Sequence, residues 1–117
     1  MNKIKTIIID DEPDAVNFIR SIIGEYCPKL EVVDIARSAK EGVKKIIEKN
    51  PDLVFLDVEM PHGSGFDLLS QFPEKTFEVI FITAFNHYAI QAIKFSAVDY
   101  ILKPININEF IAAVEKV

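Results

Sequence analysis

Short apolar segments alternate along the chain with longer amphipathic ones. The largely apolar, β-branched run Ile4–Ile9 is bounded by charge, which is typical of a strand buried on both faces. From Pro13 onward, apolar residues recur at intervals of three and four, and this spacing predicts a helix that ends before Pro28. The sequence therefore opens with one strand followed by one helix.

The same alternation predicts four more strands and four more helices. The predicted strands cover residues 32–36, 53–56, 79–83 and 98–102, and the predicted helices cover residues 38–49, 65–72, 87–94 and 107–116. Three helix starts have the spacing of a capping box, namely Ser38 with Glu41, Ser64 with Asp67 and Asn106 with Glu109. Five strands that alternate with five helices predict an α/β fold, a doubly wound, flavodoxin-like parallel sheet with strand order 2-1-3-4-5.

Length and composition narrow the class of protein. A chain of 117 residues with 50% hydrophobic and 26% charged residues predicts one globular domain over residues 1–117. Cys27 is the single cysteine, and the first residues lack the apolar core of a signal peptide, so we expect a cytoplasmic protein. The uncharged run 79–93 is too short and too polar to span a membrane. The net charge of −5 argues against direct binding of nucleic acid by this domain.

Polar residues stand where four of the predicted strands end. Asp10 and Asp11 follow the first strand, Asp57 follows the third, Thr83 ends the fourth and Lys103 follows the fifth. The carboxyl ends of parallel strands meet at one edge of the sheet, which is where doubly wound proteins bind ligands. We therefore expect these five side chains to form one site. The nearby acids Glu12 and Asp14 are interpreted as first-turn residues of the first helix, favoured there by the helix dipole.

Three clustered aspartates repel one another unless a cation compensates their charge. Mg²⁺ prefers oxygen ligands and commonly binds one or two carboxylates together with a phosphate, so we expect Mg²⁺ and a phosphoryl group here. Lys103 and Thr83 then contact phosphoryl oxygens. The Asp57 carboxylate is the candidate nucleophile, because aspartate can accept a phosphoryl group as an acyl phosphate.

Two other functions use parts of the same pattern. A Mg²⁺-dependent phosphohydrolase or nucleotidyl-processing domain also needs carboxylates and a lysine, but Asp57-Val58-Glu59 departs from the Asp-x-Asp ligands usual in that class. A flavin-binding flavodoxin-like module needs a Ser/Thr/Gly phosphate loop after the first strand. The acidic residues 10–12 stand there instead, and they would repel a phosphate.

The ordered set of motifs resembles the receiver domain of two-component response regulators over essentially the whole chain. The motifs are the acidic residues 10–12, Asp57 in Leu-Asp-Val-Glu-Met-Pro with Gly63 and Gly65 after it, Thr83-Ala84, and Lys103-Pro104. Residues 82–85, 88–89 and 99–105 look most like the receivers of the LytTR subfamily, whose output domain binds DNA. The resemblance implies a signalling switch that a sensor histidine kinase phosphorylates and that catalyses only its own phosphotransfer.

The resemblance also implies a role for each site residue. Asp57 is the phosphoacceptor, and Mg²⁺ is bound directly by Asp11, Asp57 and the main-chain carbonyl of Glu59, and through water by Asp10. Thr83 and Lys103 bind the phosphoryl group, and Tyr100 is the aromatic switch residue that turns inward when Thr83 moves. The Lys103–Pro104 peptide bond is cis in similar receivers. We further expect a phosphorylation-promoted homodimer through the fourth helix, fifth strand and fifth helix, a surface of mixed charge.

Overall fold

Five parallel strands form one sheet in the computed structural model, which describes residues 3–117. The strands are β1 (Ile4–Ile9), β2 (Leu30–Ala36), β3 (Leu53–Leu56), β4 (Glu78–Thr83) and β5 (Asp99–Leu102). The helices are α1 (Pro13–Tyr26), α2 (Ala39–Lys49), α3 (Gly65–Leu69), α4 (Ala89–Lys94) and α5 (Ile107–Glu115). The strand order is β2-β1-β3-β4-β5, which confirms the predicted fold. None of the helices within residues 3–117 has the length and apolar character needed to cross a membrane.

Side chains of the central strands alternate between two hydrophobic layers. Ile7 and Ile9 pack with α2, α3 and α4 on one face of the sheet, whereas Ile8 packs with α1 and α5 on the other. Phe55 of β3 stacks on Phe110 of α5, with ring centroids 4.9 Å apart. Helices thus cover both faces, and this explains why the central strands are apolar at successive positions instead of alternate ones.

All three predicted N-cap residues make a capping hydrogen bond, but one of the three predicted capping boxes is complete. Ser64 and Asp67 form a complete capping box, in which each side chain accepts a hydrogen bond from the backbone N–H of the other residue. The side chains of Ser38 and Asn106 each accept a hydrogen bond from the N–H three residues later. All three polar residues therefore satisfy N–H groups at a helix start.

Two helices are shorter than their sequence pattern predicts by more than one residue, and α2 and α5 are each shorter by a single residue. The third was predicted to reach residue 72 but ends at Leu69, and single turns then lead to Pro73. A proline disfavours the helical conformation in the residue before it, so the helix cannot continue to this point. The fourth was predicted from His87 but begins at Ala89, after Tyr88, whose side chain makes no capping hydrogen bond. Strand β2 begins two residues earlier than predicted, and β5 begins one residue later.

The loop from β3 to α3 passes very close to the end of β3. The N–H of Gly65 donates to the carbonyl of Val58 at 2.8 Å, and a Cβ atom at Gly65 would lie 2.5 Å from the main-chain oxygen of Asp57. Gly63, at φ 151°, has a backbone conformation that L side chains rarely adopt. The two glycines therefore allow the tight loop that follows Asp57.

We predict that Gly65→Ala lowers the free energy of unfolding by about 1–3 kcal/mol, because the added methyl group overlaps a backbone atom that cannot move freely. Urea denaturation monitored by circular dichroism measures this change. Gly24→Ala is the control, since nothing lies within 4 Å of a Cβ there and alanine favours a helix by about 0.5–1 kcal/mol. Equal stability of Gly65→Ala and wild type would contradict the close approach.

Candidate functional site

The predicted site residues meet at the carboxyl edge of the sheet. The N–H of Asp57 donates to the carbonyl of Ile9 at 3.0 Å, and the N–H of Lys103 donates to the carbonyl of Thr83 at 2.8 Å. The N–H of Asp10 likewise donates to the carbonyl of Ala36, the last residue of β2. The hydrogen bonding of the sheet thus extends past the ends of the strands and fixes the backbone that carries the site.

Three carboxylates lie together at this edge. Asp10, Asp11 and Asp57 each offer an oxygen atom within 4.8 Å of the others. Asp10 and Asp57 are only 2% and 5% exposed, whereas Asp11 is half-buried. Burial raises the pKa of Asp10 to about 6, although the N–H of Glu12 and the ammonium of Lys103 oppose the change. The site therefore holds several acidic groups where water compensates little of their charge.

The ammonium group of Lys103 contacts two of these carboxylates and that of Glu12. Its Nζ is 2.9 Å from Asp10 Oδ2 and 3.1 Å from Asp57 Oδ2, and it also donates to Glu12 Oε1. Burial by itself lowers the pKa of a lysine, but the contacts with Glu12, Asp10 and Asp57 outweigh it and raise the pKa of Lys103. The lysine is therefore a permanent cation. Its peptide bond to Pro104 is cis, as the resemblance implied.

Glu12 differs from its prediction both in its position relative to α1 and in the contact of its side chain. Its sequence position indicated a first-turn acid of the first helix, but it precedes Pro13 as the N-cap residue and its side chain makes no capping hydrogen bond. The carboxylate instead pairs with Lys103, 91 residues away in sequence. Charge periodicity could not reveal this contact, because it depends on β5 lying in the same sheet as β1.

Three buried oxygens of the site have no hydrogen-bond partner among the residues that the structure describes. One of them, Asp10 Oδ2, lies 2.9 Å from the Lys103 ammonium. The other two are Asp57 Oδ1 and the hydroxyl oxygen of Thr83, a residue that is fully buried. Buried polar atoms are normally paired, so unpaired ones mark a place where another group can bind. A hard cation and a phosphoryl oxygen would satisfy a carboxylate oxygen and a hydroxyl, respectively, and the carboxylate cluster fits Mg²⁺ by its ligand type.

The clustered groups border a pocket of about 330 Å³. Its lining residues are Asp11, Glu12, Asp57, Glu59, Ala84, Phe85 and Lys103. The lining combines acidic side chains, the Lys103 ammonium group and the ring of Phe85 from the loop that follows β4. It has room for a small anion beside the carboxylate of Asp57.

Two tyrosines lie at the edge of the site. The half-buried Tyr100 donates its hydroxyl hydrogen bond to the carbonyl oxygen of Phe85, in the loop between β4 and α4. Tyr88 donates to Glu59 Oε2 at 2.7 Å. The position of Tyr100 was expected from the resemblance. The contact between Tyr88 and Glu59 was missed, because no spacing rule relates residues 29 positions apart.

Known proteins show the same pattern of sequence and structure. The family model described as response regulator receiver domain matches residues 6–115. The chain is 40% identical over 114 residues to a protein described as an uncharacterized response regulatory protein of Vibrio cholerae serotype O1, over 97% of this chain and 48% of that protein. It is 36% identical over 115 residues to the sensory transduction protein LytR of Staphylococcus haemolyticus, over 97% of this chain and 44% of that protein.

A solved structure agrees with these sequence matches. The crystal structure of a DNA-binding response regulator of the LuxR family from Staphylococcus aureus has a TM-score of 0.86 and 26% sequence identity, and the comparison covers 97% of both chains. The chain spans about half the length of the curated relatives it matches. Because the family model covers almost every residue and the fold agrees, the chain belongs to the response regulator receiver domain family.

Proposed function

We propose that this domain is a phosphorylation-dependent switch in which Asp57 accepts a phosphoryl group from a sensor histidine kinase. The observation that carries the proposal is the environment of Asp57. Its carboxylate is buried, one oxygen is 3.1 Å from the Lys103 ammonium, and the other is free of protein partners within the described chain. A carboxylate held this way beside an open pocket is available for attack on phosphorus.

In the transfer, a carboxylate oxygen of Asp57 attacks the phosphorus of phosphohistidine as the bond from phosphorus to nitrogen breaks. The electron pair of that bond returns to the imidazole, and an acyl phosphate remains on Asp57. Lys103 compensates the negative charge of the phosphoryl oxygens, and the Thr83 hydroxyl donates a hydrogen bond to one of them. The buried hydroxyl thereby gains the partner that it lacks within the described chain.

Mg²⁺ is the proposed cofactor. The residues that would hold it are Asp11, Asp57 and the main-chain carbonyl of Glu59, with Asp10 acting through water. The grouping of the three aspartates within 4.8 Å supports this assignment. When bound, the ion supplies positive charge that offsets the carboxylates and the phosphoryl oxygens.

The proposed readout uses Thr83 and Tyr100. When Thr83 moves toward the phosphoryl group, the loop that follows it changes position, and the carbonyl of Phe85 no longer holds the Tyr100 hydroxyl where it lies now. Tyr100 can then turn inward. Its ring centroid lies 6.0 Å from that of buried Phe81, so it already borders the core.

The proposed output is transcription through a LytTR-type DNA-binding domain outside the receiver. The motifs shared with LytTR receivers and the length of the relatives support it. The structural relative of the LuxR family has the same receiver fold, so the fold by itself does not select the output domain. We do not expect the receiver itself to bind DNA, because its net charge of −5 repels phosphate groups.

We further propose that phosphorylation promotes a homodimer through α4, β5 and α5. Opposite charges lie side by side on this surface, where Lys116 pairs with Asp99 of the same chain at 2.9 Å. Its exposed residues include Ile90 and Ile93, both 74% exposed, and Leu102. Neighbouring apolar side chains of this kind favour burial against a second copy.

Incubation with Mg²⁺ and acetyl phosphate should add roughly 80 Da, one phosphoryl group, to the intact mass of the wild type. Asp57→Asn should remain unmodified, because the amide is a poor nucleophile, and should be at least as stable as wild type, because one clustered charge is removed. Asp14→Asn is the control for loss of an acidic charge nearby. Release of free phosphate with no adduct would instead support a hydrolase.

Asp11→Ala should weaken Mg²⁺ binding at least tenfold, because it removes a carboxylate ligand while leaving Asp57 in place. Titration with Mg²⁺ followed by NMR chemical shifts measures the affinity. Asp14→Ala removes the same kind of group from the exposed first turn of α1 and should bind Mg²⁺ as the wild type does. An unchanged affinity in Asp11→Ala would refute the metal assignment.

Sedimentation equilibrium should show a weak dimer of the wild type in the presence of Mg²⁺ and beryllofluoride, a phosphoryl mimic. Asp57→Asn should stay monomeric under the same conditions. Ile93→Ser should bind the mimic but dimerise less, since it removes apolar area without touching the site. Equal dimerisation of wild type and Asp57→Asn would contradict control by phosphorylation.

A further inference from the structure

The hydrogen bond between Tyr88 and Glu59 connects the phosphoacceptor loop directly to α4. Glu59 is two residues after Asp57, and Tyr88 is the N-cap residue of α4. The distance between the Tyr88 hydroxyl and Glu59 Oε2 is 2.7 Å, and the acceptor is an ionised carboxylate, which makes the bond stronger than one between neutral groups. This hydrogen bond is distinct from the one between Tyr100 and the carbonyl of Phe85.

Helix α4 has few other contacts that hold its position. It has six residues, its N-cap makes no side-chain capping bond, and Ala92 is its one buried residue in the structure as described. Ile90 and Ile93 point largely into solvent. In an element with so little buried apolar area, a single hydrogen bond at its start has a large effect on where the element lies.

The ring of Tyr88 has its own packing. Its centroid lies 5.8 Å from that of Phe66 and 4.1 Å from that of His87. These contacts involve the ring and not the hydroxyl. Removal of the hydroxyl alone should therefore preserve the packing and remove only the connection to Glu59.

The charge of the site makes this hydrogen bond sensitive to phosphorylation. Glu59 and Asp57 line the same pocket, and Lys103 already pairs with three carboxylates. Phosphorylation replaces the Asp57 carboxylate, which has a charge of −1, with an acyl phosphate of about −1.5 to −2, and the added negative charge repels the Glu59 carboxylate. Movement of Thr83 toward the phosphoryl group also displaces the loop that leads to Tyr88. Both effects separate the donor from the acceptor.

We propose that Glu59 and Tyr88 form a latch that holds α4 in the unphosphorylated arrangement and opens when Asp57 is phosphorylated. The proposal rests on the proposed function, because the latch responds to a phosphoryl group on Asp57. A contact that exists only in the resting arrangement lowers the population of the active arrangement. It therefore weakens the apparent affinity for any ligand that binds the active arrangement. Tyr88 is thus a positioning residue that sets how readily the domain switches.

Tyr88→Phe should bind beryllofluoride, in the presence of saturating Mg²⁺, roughly two- to tenfold more tightly than the wild type, in keeping with the loss of one hydrogen bond. Titration followed by NMR signals of α4 measures both the affinity and the movement of the helix. Tyr26→Phe is the matched control, because it removes the same hydroxyl from an exposed tyrosine at the end of α1 and should leave the affinity unchanged.

A double-mutant cycle separates the latch from the charge of Glu59. Glu59→Ala by itself should also tighten binding, since it removes a negative charge from the pocket, and Tyr88→Phe should then add nothing in that background. An unchanged or weaker affinity in Tyr88→Phe, or the same gain with and without Glu59, would overturn the latch while the proposed function stands. If the wild type binds no beryllofluoride, the proposed function fails and the latch fails with it.

Discussion

The Lys103 ammonium is the interaction on which the site depends. Two buried aspartates lie where water is largely excluded, the exposed Glu12 contacts the same ammonium group, and such a group of like charges is unfavourable without a cation. The lysine contacts a carboxylate oxygen of all three. It thereby compensates the negative charge of the buried Asp57.

The parallel sheet brings this cation and these carboxylates together. Each strand ends at the same edge, and backbone hydrogen bonds continue one residue beyond the strands, so that Asp57 and Lys103 have a fixed backbone. Gly65 lets the following loop return closely over the end of β3. A rigid sheet therefore presents the reactive groups, whereas loops and the short α4 form the side that can move.

That movable side is held by two tyrosines from different elements. Tyr100 of β5 contacts the carbonyl of Phe85, and Tyr88 at the start of α4 contacts Glu59. Both hydroxyl groups therefore contact segments that line the pocket beside Asp57. The exposed isoleucines Ile90 and Ile93 lie on α4, the helix that begins after Tyr88. A change at Asp57 can accordingly alter the exposed surface of α4, because few buried contacts oppose the movement of this helix.

The sequence by itself determined the number, type and order of the elements, because hydrophobic periodicity reports which faces are buried. It also indicated Asp57, Thr83 and Lys103, because each follows or ends a predicted strand. Only the tertiary structure decided that Glu12 pairs with Lys103 and that Tyr88 reaches Glu59. Both contacts join residues distant in sequence through side-chain geometry, and local patterns carry no information on such geometry. Periodicity alone also placed the end of α3 too late, although Pro73 follows it in the sequence, and the start of α4 too early.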